Sequence, residues 1–136
     1  MPMIARVGQA STNHNMSFLY SDEHTWLQRD GDVATMGITV HAQDTLGDIV
    51  FVDLPAIGKT FSAKEVAGVV ESVKAAADVH MPAGGEIIEV NEALRADPSL
   101  ANSDPLGQGW FFKARLTDLA DLDSLLDEAA YQKLTA

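Results

Sequence analysis

Along most of this chain, apolar and polar residues alternate in bursts of three to seven, the length of β-strands, with turn residues between them. Phe18-Leu19-Tyr20 is the first burst. Thr25-Trp26-Leu27-Gln28-Arg29 and Val33-Ala34-Thr35-Met36-Gly37-Ile38 flank Asp30-Gly31-Asp32, a hairpin signal. Thr39 can cap a short helix over Val40–Leu46, which Gly47 stops. Asp48–Leu54 reads as a strand that Pro55 ends, and turns at 57–59 and 63–65 bracket Thr60-Phe61-Ser62. In Gly68–Val90 two β runs, Gly68–Val73 and Asp78–Met81, are joined through Lys74 and three alanines, Ala75–Ala77. Gly84-Gly85 allows a second reversal before Glu86–Val90. Asn91 caps a brief helix to Arg95, and Trp110–Leu116 is the last strand.

From Thr117 to Ala136 the period changes. Leu119, Leu122, Leu125, Leu126, Ala129, Ala130 and Leu134 recur at three- and four-residue steps with acidic residues between them. The pattern predicts a helical tail, broken near Asp123 and laid over the sheet by its leucines. No linker rich in Pro, Gly and Ser divides the chain, so residues 17–136 are read as one domain. Residues 1–16 are read as a disordered leader or a vector-derived segment preceding it.

Charge narrows the partners. Twenty Asp and Glu face nine Lys and Arg, a net charge of −11. Nucleic acid and anionic membranes both require a basic surface, so neither is expected. The acidity suits docking on basic patches of other proteins, and equally suits a chain that simply stays soluble. With no cysteine, disulfides and thiol catalysis by the protein itself are excluded, and redox chemistry would have to come from an attached group. No apolar run approaches eighteen residues, and residues 1–15 resemble neither a secretory signal nor an arginine-rich transit peptide. A cytoplasmic bacterial monomer is the expectation, or a mitochondrial one if a transit peptide has been removed.

Signals for a self-sufficient active site are missing. His14, His24, His41 and His80 lack metal-type spacing, and no phosphate loop, dinucleotide fingerprint, G-x-S-x-G or calcium loop occurs. Lys74 remains. By position alone it is an exposed surface lysine at a hairpin tip. Its small neighbours, however, give its stem nothing to pack on and leave it open to a modifying enzyme.

The setting of Lys74, after Glu71-Ser72-Val73 and before Ala75-Ala76-Ala77-Asp78, resembles the lipoyl-attachment motif. Biotin carriers use a similar hairpin, but their lysine usually lies between methionines, and here the neighbours are Val73 and Ala75. Lipoylation would turn the amine into a neutral amide on a flexible rod of roughly 14 Å ending in a dithiolane.

The resemblance widens over the whole chain. Tyr20 through Trp26 with Asp30-Gly31-Asp32, then ATMGIT, HAQDTLGDIVFVDLP, GVVESVKAAADV, GEIIEVNEAL, NSDP and GWFFK closely resemble the H-protein of the glycine cleavage system, from about Phe18 to Tyr131. The resemblance implies a mainly β fold, a barrel-sandwich hybrid of two short antiparallel sheets, lipoyl-domain-like, with small helices and a C-terminal helix. It implies a non-catalytic carrier with lipoate on Lys74. Its partners would be a pyridoxal-phosphate glycine decarboxylase (P-protein), a tetrahydrofolate-dependent aminomethyltransferase (T-protein), a flavin dihydrolipoyl dehydrogenase (L-protein), and a lipoate ligase or lipoyl transferase. The aminomethyl group would be sheltered in a cleft on the carrier, for which the polar turn Ser21–Thr25 and Asp78 are the matching positions. Glu23, His24 and Asp78 are the cleft candidates. The family's usual His-Glu-Trp is here His24-Thr25-Trp26, so one expected carboxylate is missing unless Glu23 replaces it. Two other readings stay open: an H-like relay that passes lipoate on to 2-oxoacid dehydrogenases, and an unmodified β interaction module.

Overall fold

The computed structural model describes residues 18–136; the expectation for residues 1–16 lies outside the described residues. Among the described residues nine strands form two antiparallel sheets. The six-stranded sheet runs in the order β1 (Phe18–Tyr20), β2 (Thr25–Asp30), β3 (Val33–Ile38), β9 (Phe112–Leu116), β8 (Gly85–Val90) and β5 (Thr60–Phe61). The three-stranded sheet runs β4 (Ile49–Asp53), β6 (Val66–Ser72), β7 (Ala76–His80). Neither sheet closes on itself, and the apolar faces of both contribute to one core that includes Leu27, Met36, Val52, Val70, Val79 and Ile87. Alternation along the strands is the cause: Val70 and Val79 are buried while Glu71 and Asp78 beside them are exposed.

Most predicted elements stand where the pattern placed them. Helix α1 covers Val40–Leu46, with the Thr39 hydroxyl accepting from the Ala42 N–H and Gly47 ending it at φ +77. Helix α2 is Glu92–Ala96, capped by Asn91. The differences are instructive. Ala76 and Ala77 belong to β7, pairing with Glu71 and Val70, so the reversal closes on Val73-Lys74 and is tighter than a three-alanine connection. After Pro82 the chain does not fold back onto β7 at Gly84-Gly85. It crosses to the other sheet, where β8 pairs with β9 and β5. A four-residue helix α3, Leu100–Ser103, was not expected.

The tail departs furthest from expectation. It is a 3-10 helix over Leu119–Ser124 followed by α4, Glu128–Thr135, and between them Leu126 exchanges both backbone hydrogen bonds with Tyr20 of β1. Leu122, Leu125 and Leu126 of the leucine stripe pack against the two core clusters as expected, while Leu119 and Leu134 are half exposed. Tyr131 is a further anchor: buried, it stacks on Tyr20 with ring centroids 4.7 Å apart, in a cluster completed by Trp26. One aromatic ring with a polar tip satisfied both packing and hydrogen bonding here, which a stripe of leucines could not.

Candidate functional site

The hairpin between β6 and β7 is built to hold its tip still. Ser72 accepts from the backbone N–H groups of Lys74 and Ala75 at 3.1 Å each through Oγ, and its own N–H donates to the Ala75 carbonyl at 2.8 Å. The Val73 N–H donates to the Asp48 carbonyl at 3.0 Å, tying the tip to the junction of α1 and β4. That junction is pinned in turn by Asn102 of α3, whose side-chain amide donates to the Gly47 carbonyl and accepts from the Ile49 N–H. Lys74 is exposed, and among the described residues its ammonium makes no hydrogen bond or ion pair. Its stem lies over Gly47: a Cβ built there would sit 3.3 Å from Lys74 Cε. Gly47 thus serves two needs, a left-handed φ that L side chains rarely adopt and open room beneath the lysine.

Beside the tip lies a cleft of about 220 Å³ between the β1–β2 turn, α1 and β7. Glu23, His24 and Asp78, the three residues singled out from sequence, all line it. About 13 Å of strand separates Lys74 from Asp78 at 3.3 Å per residue. Thr25 lines the cleft too, but its hydroxyl is engaged with Ser21 Oγ at 2.6 Å. Ser21 and Asp22 are not in the lining; Ser21 organises the turn by accepting from the N–H groups of Glu23 and Thr25. His41, Thr45 and Leu46 form the α1 wall and were not anticipated. Their spacing puts them on one helix face, which is legible in sequence only once the helix is known to border a cleft.

The charges in the cleft are unevenly satisfied. Glu23 Oε1 is buried with no hydrogen-bond partner, while Oε2 lies 3.5 Å from His80 Nδ1. His80 Nδ1 is also 2.9 Å from the Lys64 carbonyl. Asp78 is exposed and makes no side-chain hydrogen bond or ion pair among the described residues. His24 has a left-handed backbone, φ +67, and its Nδ1 is 2.7 Å from the Tyr131 hydroxyl. Burial first, and then the electrostatic effect of His41 with its ring 4.7 Å away, hold the His24 imidazole below its ordinary 6.5. A cleft in which burial disfavours charge on the His24 imidazole and a carboxylate oxygen is unpaired is suited to a small cationic group. Among the described residues no group of three or more His, Asp or Glu is placed to hold a metal ion, and no helix is long and apolar enough to cross a membrane.

Fold and site together define a lipoyl-domain-like β protein, two small sheets presenting a lysine at a hairpin tip beside a polar-rimmed cleft. The glycine cleavage H-protein family model matches residues 18–136, and the chain belongs to that family. It is 53% identical to the glycine cleavage system H protein of Bradyrhizobium diazoefficiens over 118 residues, 87% of this chain and 97% of the relative. It is 56% identical to that of Chromobacterium violaceum over 115 residues, 84% and 90% of the two chains. The crystal structure of a glycine cleavage system H protein from Mycobacterium marinum superposes with a TM-score of 0.81 at 37% identity, covering 88% of this chain and 97% of that one.

Proposed function

We propose that this protein is the non-catalytic lipoyl carrier of a glycine cleavage system, with Lys74 as the attachment site, working in the bacterial cytoplasm. The observation that carries the reading is an exposed, unpaired Lys74 amine on a braced tip, next to a cleft in which a carboxylate oxygen has no partner. Lipoate in amide linkage to that amine would supply a dithiolane able to accept the aminomethyl group of glycine and, afterwards, to be reoxidised. The residues present fit such a group. The lysine nitrogen is open to acylation, the turn around it is stitched by Ser72, and nothing larger than alanine follows it.

The chain's own residues do the positioning. Glu23 and Asp78 offer negative charge to a cationic cargo, and the walls from α1 and β7 would reduce its contact with water. The cargo would pass from a pyridoxal-phosphate glycine decarboxylase to a tetrahydrofolate-dependent aminomethyltransferase, and electrons to a dihydrolipoyl dehydrogenase; a lipoate ligase or transferase would install the arm. Thr25 stands where the family usually has a carboxylate, which on sequence alone favours a relay that merely passes lipoate on. The buried Oε1 of Glu23 two residues earlier supports the carrier reading instead, since it returns a carboxylate to the cleft.

Intact-mass analysis of protein from its native host should find the mass of one lipoyl group on Lys74. Glycine–bicarbonate exchange with the decarboxylase should then require that modification. Absence of the mass gain would dispose of any lipoyl reading, and lipoylated protein that supports no exchange would point to the relay.

A further inference from the structure

Three side chains from three separate elements meet behind the cleft wall. The Tyr131 hydroxyl of α4 lies 2.7 Å from Thr39 Oγ1, at the cap of α1, and 2.7 Å from His24 Nδ1, in the β1–β2 turn. Thr39 is 1% exposed and Tyr131 7%, so each hydroxyl proton needs an acceptor within the protein. Thr39 Oγ1 already accepts from the Ala42 N–H, and the one acceptor within reach of its own proton among the described residues is the Tyr131 oxygen. The directions then follow in sequence: Thr39 donates to Tyr131, and Tyr131 donates to His24 Nδ1. Reversing the chain would strand the buried Thr39 proton.

We propose that Tyr131 of the C-terminal helix is a positioning residue of the cleft, which through a one-way relay from Thr39 fixes His24 as the neutral Nε2–H tautomer. For the carrier role this rests on the function proposed above; the relay itself does not. The consequence is electrostatic. His24 and His41 stand 4.7 Å apart at the cleft, and protonating His24 would set a positive charge beside any cationic cargo. The groups facing His24 are His41 from α1, Asp22 and Glu23 from its own turn, Asp78 from β7 across the cleft, and Tyr131 from α4, with Glu128 lining the far side of Tyr131. Burial and His41 act in the same direction as the relay, and Asp22 opposes them. A hydroxyl that donates to Nδ1 stabilises only the neutral ring, so the C-terminal helix, with no residue in the cleft lining itself, sets the charge of its wall.

The test is the side-chain NMR of ¹⁵N-histidine-labelled, unmodified protein, followed through pH, for wild type, Tyr131→Phe and Thr39→Ser. Phenylalanine keeps the stack on Tyr20 and removes only the hydroxyl. The wild type should show His24 with a proton on Nε2 and none on Nδ1. In Tyr131→Phe its titration midpoint should rise by roughly half to one pH unit, the equivalent of one ordinary hydrogen bond. Thr39→Ser, which restores both donor and acceptor, should match the wild type. An Nδ1–H tautomer in the wild type overturns the proposal by itself, even should Tyr131→Phe fail to fold; an unmoved midpoint in folded Tyr131→Phe overturns it equally. In lipoylated, cargo-bearing protein, Tyr131→Phe should lose cargo several-fold faster on the acidic side of neutrality and not at alkaline pH. Equal loss at both overturns the electrostatic consequence. A chain that is never lipoylated sinks the carrier reading and leaves the NMR result to decide the relay.

Discussion

Glu23→Gln separates what the cleft contributes to folding from what it contributes to holding a cation, because an amide of the same shape changes the second far more than the first. In the free protein Glu23 Oε1 is buried without a partner. An unsatisfied buried acceptor costs about 1–3 kcal/mol, and the low end applies here because the side chain as a whole is 32% exposed. Its other oxygen lies 3.5 Å from His80, a partly solvated contact worth at most about 0.2–1 kcal/mol. Replacing the carboxylate by an amide removes the charge but leaves an oxygen or an NH2 group at the same buried place, so that cost largely stays and at most the contact with His80 is lost. Folding stability should therefore shift by no more than about 1 kcal/mol, read as a nearly unchanged denaturant midpoint. Cargo retention should change far more. A charge-assisted hydrogen bond to an ammonium is worth about 1.5–3 kcal/mol, so release should quicken about 10- to 150-fold. The assay loads lipoylated protein with the decarboxylase and isotopically labelled glycine, removes the enzyme, and follows label lost with time, beside urea unfolding of the same two proteins. Equal rates of loss, or a Gln variant less stable by more than about 1 kcal/mol, would show that Glu23 serves the fold and not the cargo.

Lys74→Arg should leave stability within about 0.5 kcal/mol, since the ammonium has no partner to lose, yet gain no lipoyl mass and support no exchange; a destabilised variant would mean the inactivity is structural. Gly68→Ala should lower the urea midpoint by the equivalent of about 1–3 kcal/mol, because the new Cβ would lie 2.5 Å from the Asp53 carbonyl oxygen of the paired strand β4; a neutral result would mean the two strands can part freely. His24 is held below its ordinary value, so the unfolded chain takes up its proton first on acidification. Its contribution to stability is full above about pH 6.5 and declines as the pH falls from there toward the lower folded value. Thermal unfolding across that window should be less pH-dependent in His24→Asn, asparagine being chosen because it tolerates the left-handed backbone at this position; an unchanged slope would assign the pH dependence to other groups.

Much of this protein is local in origin and could be read from the chain. The hairpin at Gly31-Asp32, the helix between Thr39 and Gly47, the Asn91 cap and the lysine at a turn each depend on a few adjacent residues whose preferences agree. So does the stitched tip, in which Ser72 binds backbone groups only two and three residues on. The β1–β2 turn and Asp78 were also found in sequence, but through likeness to a family and not through any local pattern. What the tertiary structure alone decided is which sheet β8 joins, that Gly47 lies beneath Lys74, that α1 walls the cleft, and that the tail is held by Tyr131 as well as by its leucines. Those outcomes turn on pairs such as His24 and Tyr131, 107 residues apart. Burial leaves a periodic mark in a sequence because every turn of a helix or pleat of a strand repeats it. A hydrogen bond between distant side chains is made once, and nothing in either neighbourhood repeats to announce it.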